Sequence, residues 1–264
     1  MPFEPSADRP PLLELLGTGT SQGIPVVGCT CAVCRSDDEH DKRLRCAALL
    51  RRGETTVLID CGPDIRMQLL RAGVSDVDAV LITHDHNDHI IGLDDLRPII
   101  FRRTHPVRIF AERRVADSIR KRFAYAFEKH PYPGAPRFEL CDLEAGQWLH
   151  IGELPPIEAL RIMHGSLPIL GFRCGPVAYL TDVKEVPAET RKSLLGLQRL
   201  VTGALQHHSH HSHMTVEEAL ALIAELSPEQ AYLTHLSHLA GTHRELLNGM
   251  PPDVLPAHDG LQLA

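Results

Sequence analysis

No uninterrupted apolar run in this 264-residue sequence approaches the ~20 residues that a helical bilayer span requires. Met1–Pro11 carries Pro, Glu and Asp where a secretion signal needs a basic start and an apolar stretch. A cytoplasmic protein away from the membrane is therefore expected. Nor is there a surplus of positive charge. The formal net charge of −7 argues against broad electrostatic capture of nucleic acid. An anionic substrate stays open, because bound divalent cations reverse the local sign. No linker-like tract divides the chain, and the short Pro-rich segment His130–Pro136 reads as a surface loop. One α/β domain over residues 1–264 is the expectation.

The apolar fraction of 43% is ample for a sizeable core. Short β-branched runs alternate with helical segments throughout. Leu12–Leu16, Thr56–Ile59, Ala79–Ile82, Val107–Phe110, Ile157–Met163, Gly171–Cys174, Val177–Leu180, Leu200–Gly203 and Gln230–Leu233 read as strands. Helices are expected from an Asp64 cap to Leu70, with Gly73 just past the end, and over Arg113–Phe127. Others are expected from near Pro187, from Thr215 and over Gly241–Leu247. The pair Thr215 and Glu218 forms a capping box ahead of Val216, Ala219, Leu220, Ile223 and Leu226 at helical spacing. Two similar halves of strands and helices predict sheets covered by helices.

Seventeen histidines carry most of the functional information. The densest group, Thr83-His84-Asp85-His86-Asn87-Asp88-His89, directly follows a strand. So many polar groups make a poor core segment, since each would need desolvation. A solvated loop is the bland alternative. Imidazole suits borderline divalent ions, and carboxylate can harden or bridge a pair of them.

This segment resembles the HxHxDH signature of the metallo-β-lactamase superfamily. The context is similar too: Leu58-Ile59-Asp60-Cys61-Gly62 upstream, then His164, Asp182 and His235 in the expected order. The resemblance implies an αββα sandwich of two mixed sheets covered by helices. It implies one metal held by His84, His86 and His164, a second held by Asp88, His89 and His235, and Asp182 as the bridge. Asp60 is expected to orient a ligand histidine rather than to ligate. Asp85 lies between two ligands and is expected to orient the loop. Arg97 fits a phosphate contact or an ion pair with Asp94 or Asp95 equally well and stays outside the site.

Seven cysteines is an odd number, and Cys29, Cys31 and Cys34 crowd together. In a cytoplasmic chain such clustering favours metal over disulfide. Cys₃His is a standard structural zinc set, and His238 is the natural fourth ligand to a loop at about residues 28–35. Together with Leu16–Pro25, Gly28–Cys34 and Thr234–His238, this resembles one branch in particular. That branch is the phosphoribosyl 1,2-cyclic phosphate phosphodiesterases of phosphonate breakdown. The branch implies a homodimer using Mn²⁺ or Zn²⁺, with Fe open, and a small-molecule phosphodiester substrate. Two ions about 3.5–4 Å apart can share a hydroxide that attacks phosphorus.

Two departures from the branch stand out. Gly203 occupies a position where an acidic residue is common. The segment His207-His208-Ser209-His210-His211-Ser212-His213 is unusually rich in histidine. His213 best fits the active-site histidine that contacts phosphate or protonates the leaving group. The other four are read as solvated, with transient metal loading as the rival role. Rival functions are another hydrolase on the same fold (thioesterase, lactonase, β-lactamase or nuclease) and a non-catalytic metal-binding protein.

Overall fold

The computed structural model describes residues 12–264, so the reading of Met1–Pro11 lies outside the described residues. Six strands come first: β1 (Leu12–Gly17), β2 (Ala47–Arg52), β3 (Thr55–Ile59), β4 (Ala79–Leu81), β5 (Val107–Ala111) and β6 (Phe138–Asp142). Seven more build a second sheet: β7 (Trp148–Leu149), β8 (Ile157–His164), β9 (Leu167–Cys174), β10 (Val177–Leu180), β11 (Arg199–Gly203), β12 (Gln230–Thr234) and β13 (Val254–Pro256). The last strand, β14 (Leu261–Leu263), returns to the edge of the first sheet beside β1.

The strand orders are β14-β1-β2-β3-β4-β5-β6 and β13-β12-β11-β10-β9-β8-β7. Both sheets are mixed in the same way. From β14 to β3 and from β7 to β10 neighbours pair antiparallel. From β3 to β6 and from β10 to β13 they run parallel. Parallel strands with both faces covered read as continuous apolar runs, which is why the central strands stand out in the sequence.

Alternation within each strand sorts its side chains between two layers. Val57 and Ile59 of β3 meet Val177 and Tyr179 of β10 in the core between the sheets. Leu58 faces the opposite way, into a layer with Ile65, Leu69, Val115 and Ile119. These four belong to α1 (Ile65–Arg71) and α4 (Arg113–Arg122), between which lie the short helices α2 (Asn87–Ile90) and α3 (Arg97–Ile100). On the far side, Ala178 and Leu180 pack with Val216, Ile223 and Leu246. The helices there are α5 (Ala188–Ser193), α6 (Val216–Leu226) and α7 (His243–Gly249). The result is the expected αββα sandwich.

Several local expectations change. Asp64 makes no capping bond to α1, because Arg45 claims its carboxylate through the backbone N (2.9 Å) and Nη1 (2.9 Å). Helix α4 stops at Arg122 rather than reaching Phe127. Phe123 leaves helical geometry at φ −110°, ψ 37° and buries its ring, and only a 3₁₀ turn follows at Ala124–Ala126. Pro187 is the residue before α5, not its first turn. The Thr215–Glu218 box caps α6 as expected, with bonds of 2.8 and 3.1 Å. A second box, Thr242 with Glu245, caps α7 and starts it at His243 rather than at Gly241.

Candidate metal centre

The site lies along one rim of the sandwich, where β3, β4, β10 and β12 end. Three of these ends carry a non-glycine residue in the left-handed region: Asp60 (φ 62°), Asp182 (φ 55°) and His235 (φ 55°). Such backbone costs energy and persists where surrounding structure enforces it, commonly at functional sites. A buried threonine precedes three of the predicted ligands: Thr83 before His84, Thr181 before Asp182, Thr234 before His235. The Thr83 hydroxyl reaches Asp60 Oδ2 at 2.9 Å, and the Thr181 hydroxyl donates to Asp182 Oδ2 at 2.8 Å.

The His84–His89 loop is held by backbone bonds to the segment after β3. Cys61 N donates to His89 O (2.7 Å), and Gly92 N donates to Cys61 O (2.9 Å). Gly62 allows this approach, since a Cβ there would run into the Asp88 carbonyl. Asp85 turns outward and pairs with Arg114 and, at 3.9 Å, Arg122. Arg97 pairs with Asp94 and reaches the Tyr132 hydroxyl at 3.0 Å, so it is engaged away from the ligand cluster.

Asp182 stands at the centre. Its Oδ2 lies 3.2 Å from His89 Nε2 and its Oδ1 lies 3.0 Å from His235 Nε2. Asp88 Oδ2 is 3.3 Å from the same His89 nitrogen. Ligand atoms fall within 4.8 Å of one another in three sets: His84 with His89 and Asp182, Asp88 with His89 and His235, and His164 with Asp182 and His213. His86 joins through its ring, 4.5 Å from His84 and 5.1 Å from His164. All seven predicted ligands are thus gathered, and His213 stands beside them, with Nδ1 3.9 Å from Asp182.

The charges follow from burial and neighbours. Against its desolvation, His89 is raised well above the ordinary histidine range by Asp182 and then Asp60. Asp182, also against desolvation, is held well below the carboxylate range by His235 and His89. Burial, reinforced by His89, pushes His84 far down. Burial and then His235 push His213 down to about 3.

Four buried imidazole nitrogens lack a hydrogen bond of good geometry: His84 Nε2, His89 Nε2, and Nδ1 and Nε2 of His235, although His89 Nε2 and His235 Nε2 lie 3.2 and 3.0 Å from Asp182 oxygens. Leaving such atoms unpaired costs about 1–3 kcal/mol each. Their convergence with two carboxylates fits divalent cations, which take imidazole lone pairs and carboxylate oxygens together. A second cluster sits nearby. His238 Nδ1 is 3.3, 3.4 and 3.6 Å from the sulfurs of Cys29, Cys31 and Cys34. A tetrahedron with Zn–S about 2.3 Å and Zn–N about 2.0 Å has an N···S edge of about 3.5 Å, so the set fits zinc. The loop is tied to the rim: Thr20 N donates to Leu236 O (3.1 Å) and Leu236 N to Thr18 O (3.0 Å).

Two features escaped sequence reasoning. Cys46, just ahead of β2, lies under the rim, 3.5 Å from Thr234 Oγ1, and burial pushes its thiol up to about 11. His210 is half-buried beside His213 rather than solvated, with ring centroids 5.1 Å apart. Only its spacing of three residues before His213 hinted at this. Gly203 ends β11 where a Cβ would come within 3.2 Å of Asp182 N, so a side chain there presses on the central aspartate's backbone. Among the described residues no helix is long and apolar enough to cross a membrane.

An octanoyltransferase of Porphyromonas gingivalis is 46% identical over 250 residues, covering 94% of this chain and 50% of that protein. A ribonuclease Z of Gemmatimonas aurantiaca is 31% identical over 166 residues, 62% of this chain and 46% of that one. The chain thus spans about half the length of these curated relatives. A solved structure, a new diphosphatase from the PhnP family, superposes with a TM-score of 0.89 at 36% identity, covering 96% of this chain and 97% of that chain. The family model for the Beta-lactamase superfamily domain matches residues 55–236. That span takes in every residue around Asp182 and stops two short of His238, and by it the chain belongs to the β-lactamase superfamily, with a likeness to the PhnP branch.

Proposed function

We propose that this chain is a metal-dependent hydrolase of small-molecule phosphodiesters, cyclic ones included. The observation that carries the reading is the convergence of buried imidazoles on the Asp182 carboxylate, with His89 Nε2 and His235 Nε2 3.2 and 3.0 Å from its oxygens. His84, His86 and His164 would hold one divalent cation, Asp88, His89 and His235 a second, with Asp182 shared between them. Mn²⁺ and Zn²⁺ suit this ligand set, and Fe is compatible with it. Such a pair supplies an activated water at neutral pH and neutralises charge on the phosphoryl oxygens.

The protein's own groups do the rest. Asp60 and Thr83 fix the loop that bears His84 and His89. Asp182, clamped by Thr181, sets the spacing of the two ligand sets. His213 faces the same space, and with its basicity depressed it stands as a neutral imidazole whose N–H can bond a substrate oxygen. A bound phosphoryl anion would raise its proton affinity and equip it to protonate the leaving oxygen. Cys29, Cys31, Cys34 and His238 would hold a structural zinc.

The phosphodiester reading draws support from the likeness to the PhnP-family diphosphatase, which extends over nearly the whole of both chains. The ribonuclease Z likeness favours a nuclease as the second reading, against which the net charge of −7 weighs. The acyl-transfer name belongs to a relative twice as long. No nucleic-acid or membrane partner is proposed, and a homodimer is.

Metal-replete protein assayed with bis(p-nitrophenyl) phosphate and cyclic phosphodiesters should turn them over, and Asp182→Ala should abolish the turnover. Hydrolysis of thioesters or lactones alone would replace the phosphodiester reading with an acyl one. Tight metal binding with no turnover of any ester would leave a non-catalytic metal protein.

A further inference from the structure

We propose that His211 and His210 form the entry route by which divalent cations reach the Asp182 cluster. This rests on the metal-dependent reading of that cluster. Most of the destination is deep: His84, His89, Asp182 and His235 are each no more than 2% exposed, whereas His86 is exposed and Asp88 half-buried at its edge. A cation that leaves water for such a site exchanges its hydration shell for protein ligands in steps, and imidazole is a ligand suited to that exchange.

Imidazoles line the way without a break. His211 is exposed, and its ring lies 4.4 Å from that of His210. His210 lies 5.1 Å from His213. His213 in turn lies 4.7 Å from His235 and 4.5 Å from His164. The inner end is a ready station, since His213, His164 and Asp182 bring ligand atoms within 4.8 Å of one another. His210 Nδ1 is 3.3 Å from both the backbone N and the Oγ of Ser212, which fix the ring plane.

Lys184, the amine that bears on His210, is held by both carboxylate oxygens of Glu218 at 2.9 Å. The other histidines of the run serve as internal controls. His207 is engaged elsewhere, with Nδ1 2.7 Å from Glu217 and Nε2 3.2 Å from the Ala240 carbonyl. His208 is exposed.

The test is the rate of cobalt uptake. Metal-stripped full-length protein is mixed with Co²⁺, and the visible absorption of histidine-bound cobalt is followed over time. The thiolate charge-transfer band of the cysteine site is read separately. The double variant His210→Gln/His211→Gln should load the histidine cluster severalfold more slowly and release it more slowly by the same factor. Its final stoichiometry and Kd should match the parent, because a route alters both directions alike. The His208→Gln variant should load at the parental rate. Equal rates in parent and double variant overturn the route while leaving the two-cation reading in place. A changed Kd overturns it as well, by making these residues ligands. Parent protein that takes up no cobalt at the histidine cluster overturns both.

Discussion

Nδ1 of His89 lies 2.7 Å from Oδ2 of Asp60, and both side chains are cut off from solvent. The bond fixes the ring so that its other nitrogen faces Asp182 and Asp88. Carboxylates placed behind a ligand histidine typically account for 10- to 100-fold in metal affinity, so Asp60→Asn should weaken the catalytic pair by about that factor. Competition with a metal-sensitive dye measures it. An unchanged affinity would reduce Asp60 to a residue of the fold alone.

Gly62→Ala should be costly out of proportion to one methyl group. The added carbon would press on the Asp88 carbonyl, just as a Cβ at Gly92 would press on the Gly62 carbonyl. Overpacking of this kind costs about 1–3 kcal/mol, visible as a lower urea midpoint at an unchanged slope. The same displacement should lower cation occupancy, which elemental analysis reads independently.

His213→Ala should leave both cations in place and lower turnover. A positioned proton donor contributes about 10²- to 10⁴-fold, so kcat should fall within that range. Metal content measured on the same sample separates this role from ligation. A variant that loses a cation along with its activity would make His213 a ligand of the His164–Asp182 set.

Zinc binding to the cysteine loop should release protons. Cys31, against some burial, is lowered to about 6, chiefly by the backbone N–H of Cys34, and is a thiolate at neutral pH. Cys34 is raised to about 11 by burial and is protonated at the same pH. A coordinating thiol gives up its proton, so titration at pH 8 should release at least the Cys34 proton into a weak dye buffer. Cys31, with its lowered value, favours zinc above about pH 6 and loses that advantage as acid protonates it. Zinc affinity should therefore fall with pH below about 11 and fall more steeply, by one further proton, below about 6.

Much of the site could be read from the chain, because metal ligation demands particular side chains at strand ends. His84, His86, Asp88, His89, His164, Asp182 and His235 are all brought to one rim. What could not be read depends on contacts between distant segments. Strand β2 and the closing strand β14 are defined by pairing with β1, not by their own pattern. The carboxylate of Asp64 looked like a cap until Arg45 arrived from the segment ahead of β2 to take it. Asp85, inside the densest ligand motif, faces Arg114 of a helix that no local rule connects to it. The left-handed turns at Asp60, Asp182 and His235 are likewise invisible in composition, although the threonine before Asp182 and before His235 marks where the strand stops.

His235 and His238 are separated by only two residues, yet one belongs to the Asp182 cluster and the other to the cysteine loop. If each holds its metal, two sites that share so short a segment would be thermodynamically linked. Whatever factor a zinc on the loop added to the affinity of a cation pair at Asp182, that pair would return to the zinc. A chelator strong enough to empty one should loosen the other, and the enzyme would then fill and empty as a cooperative unit of three ions rather than as two independent sites.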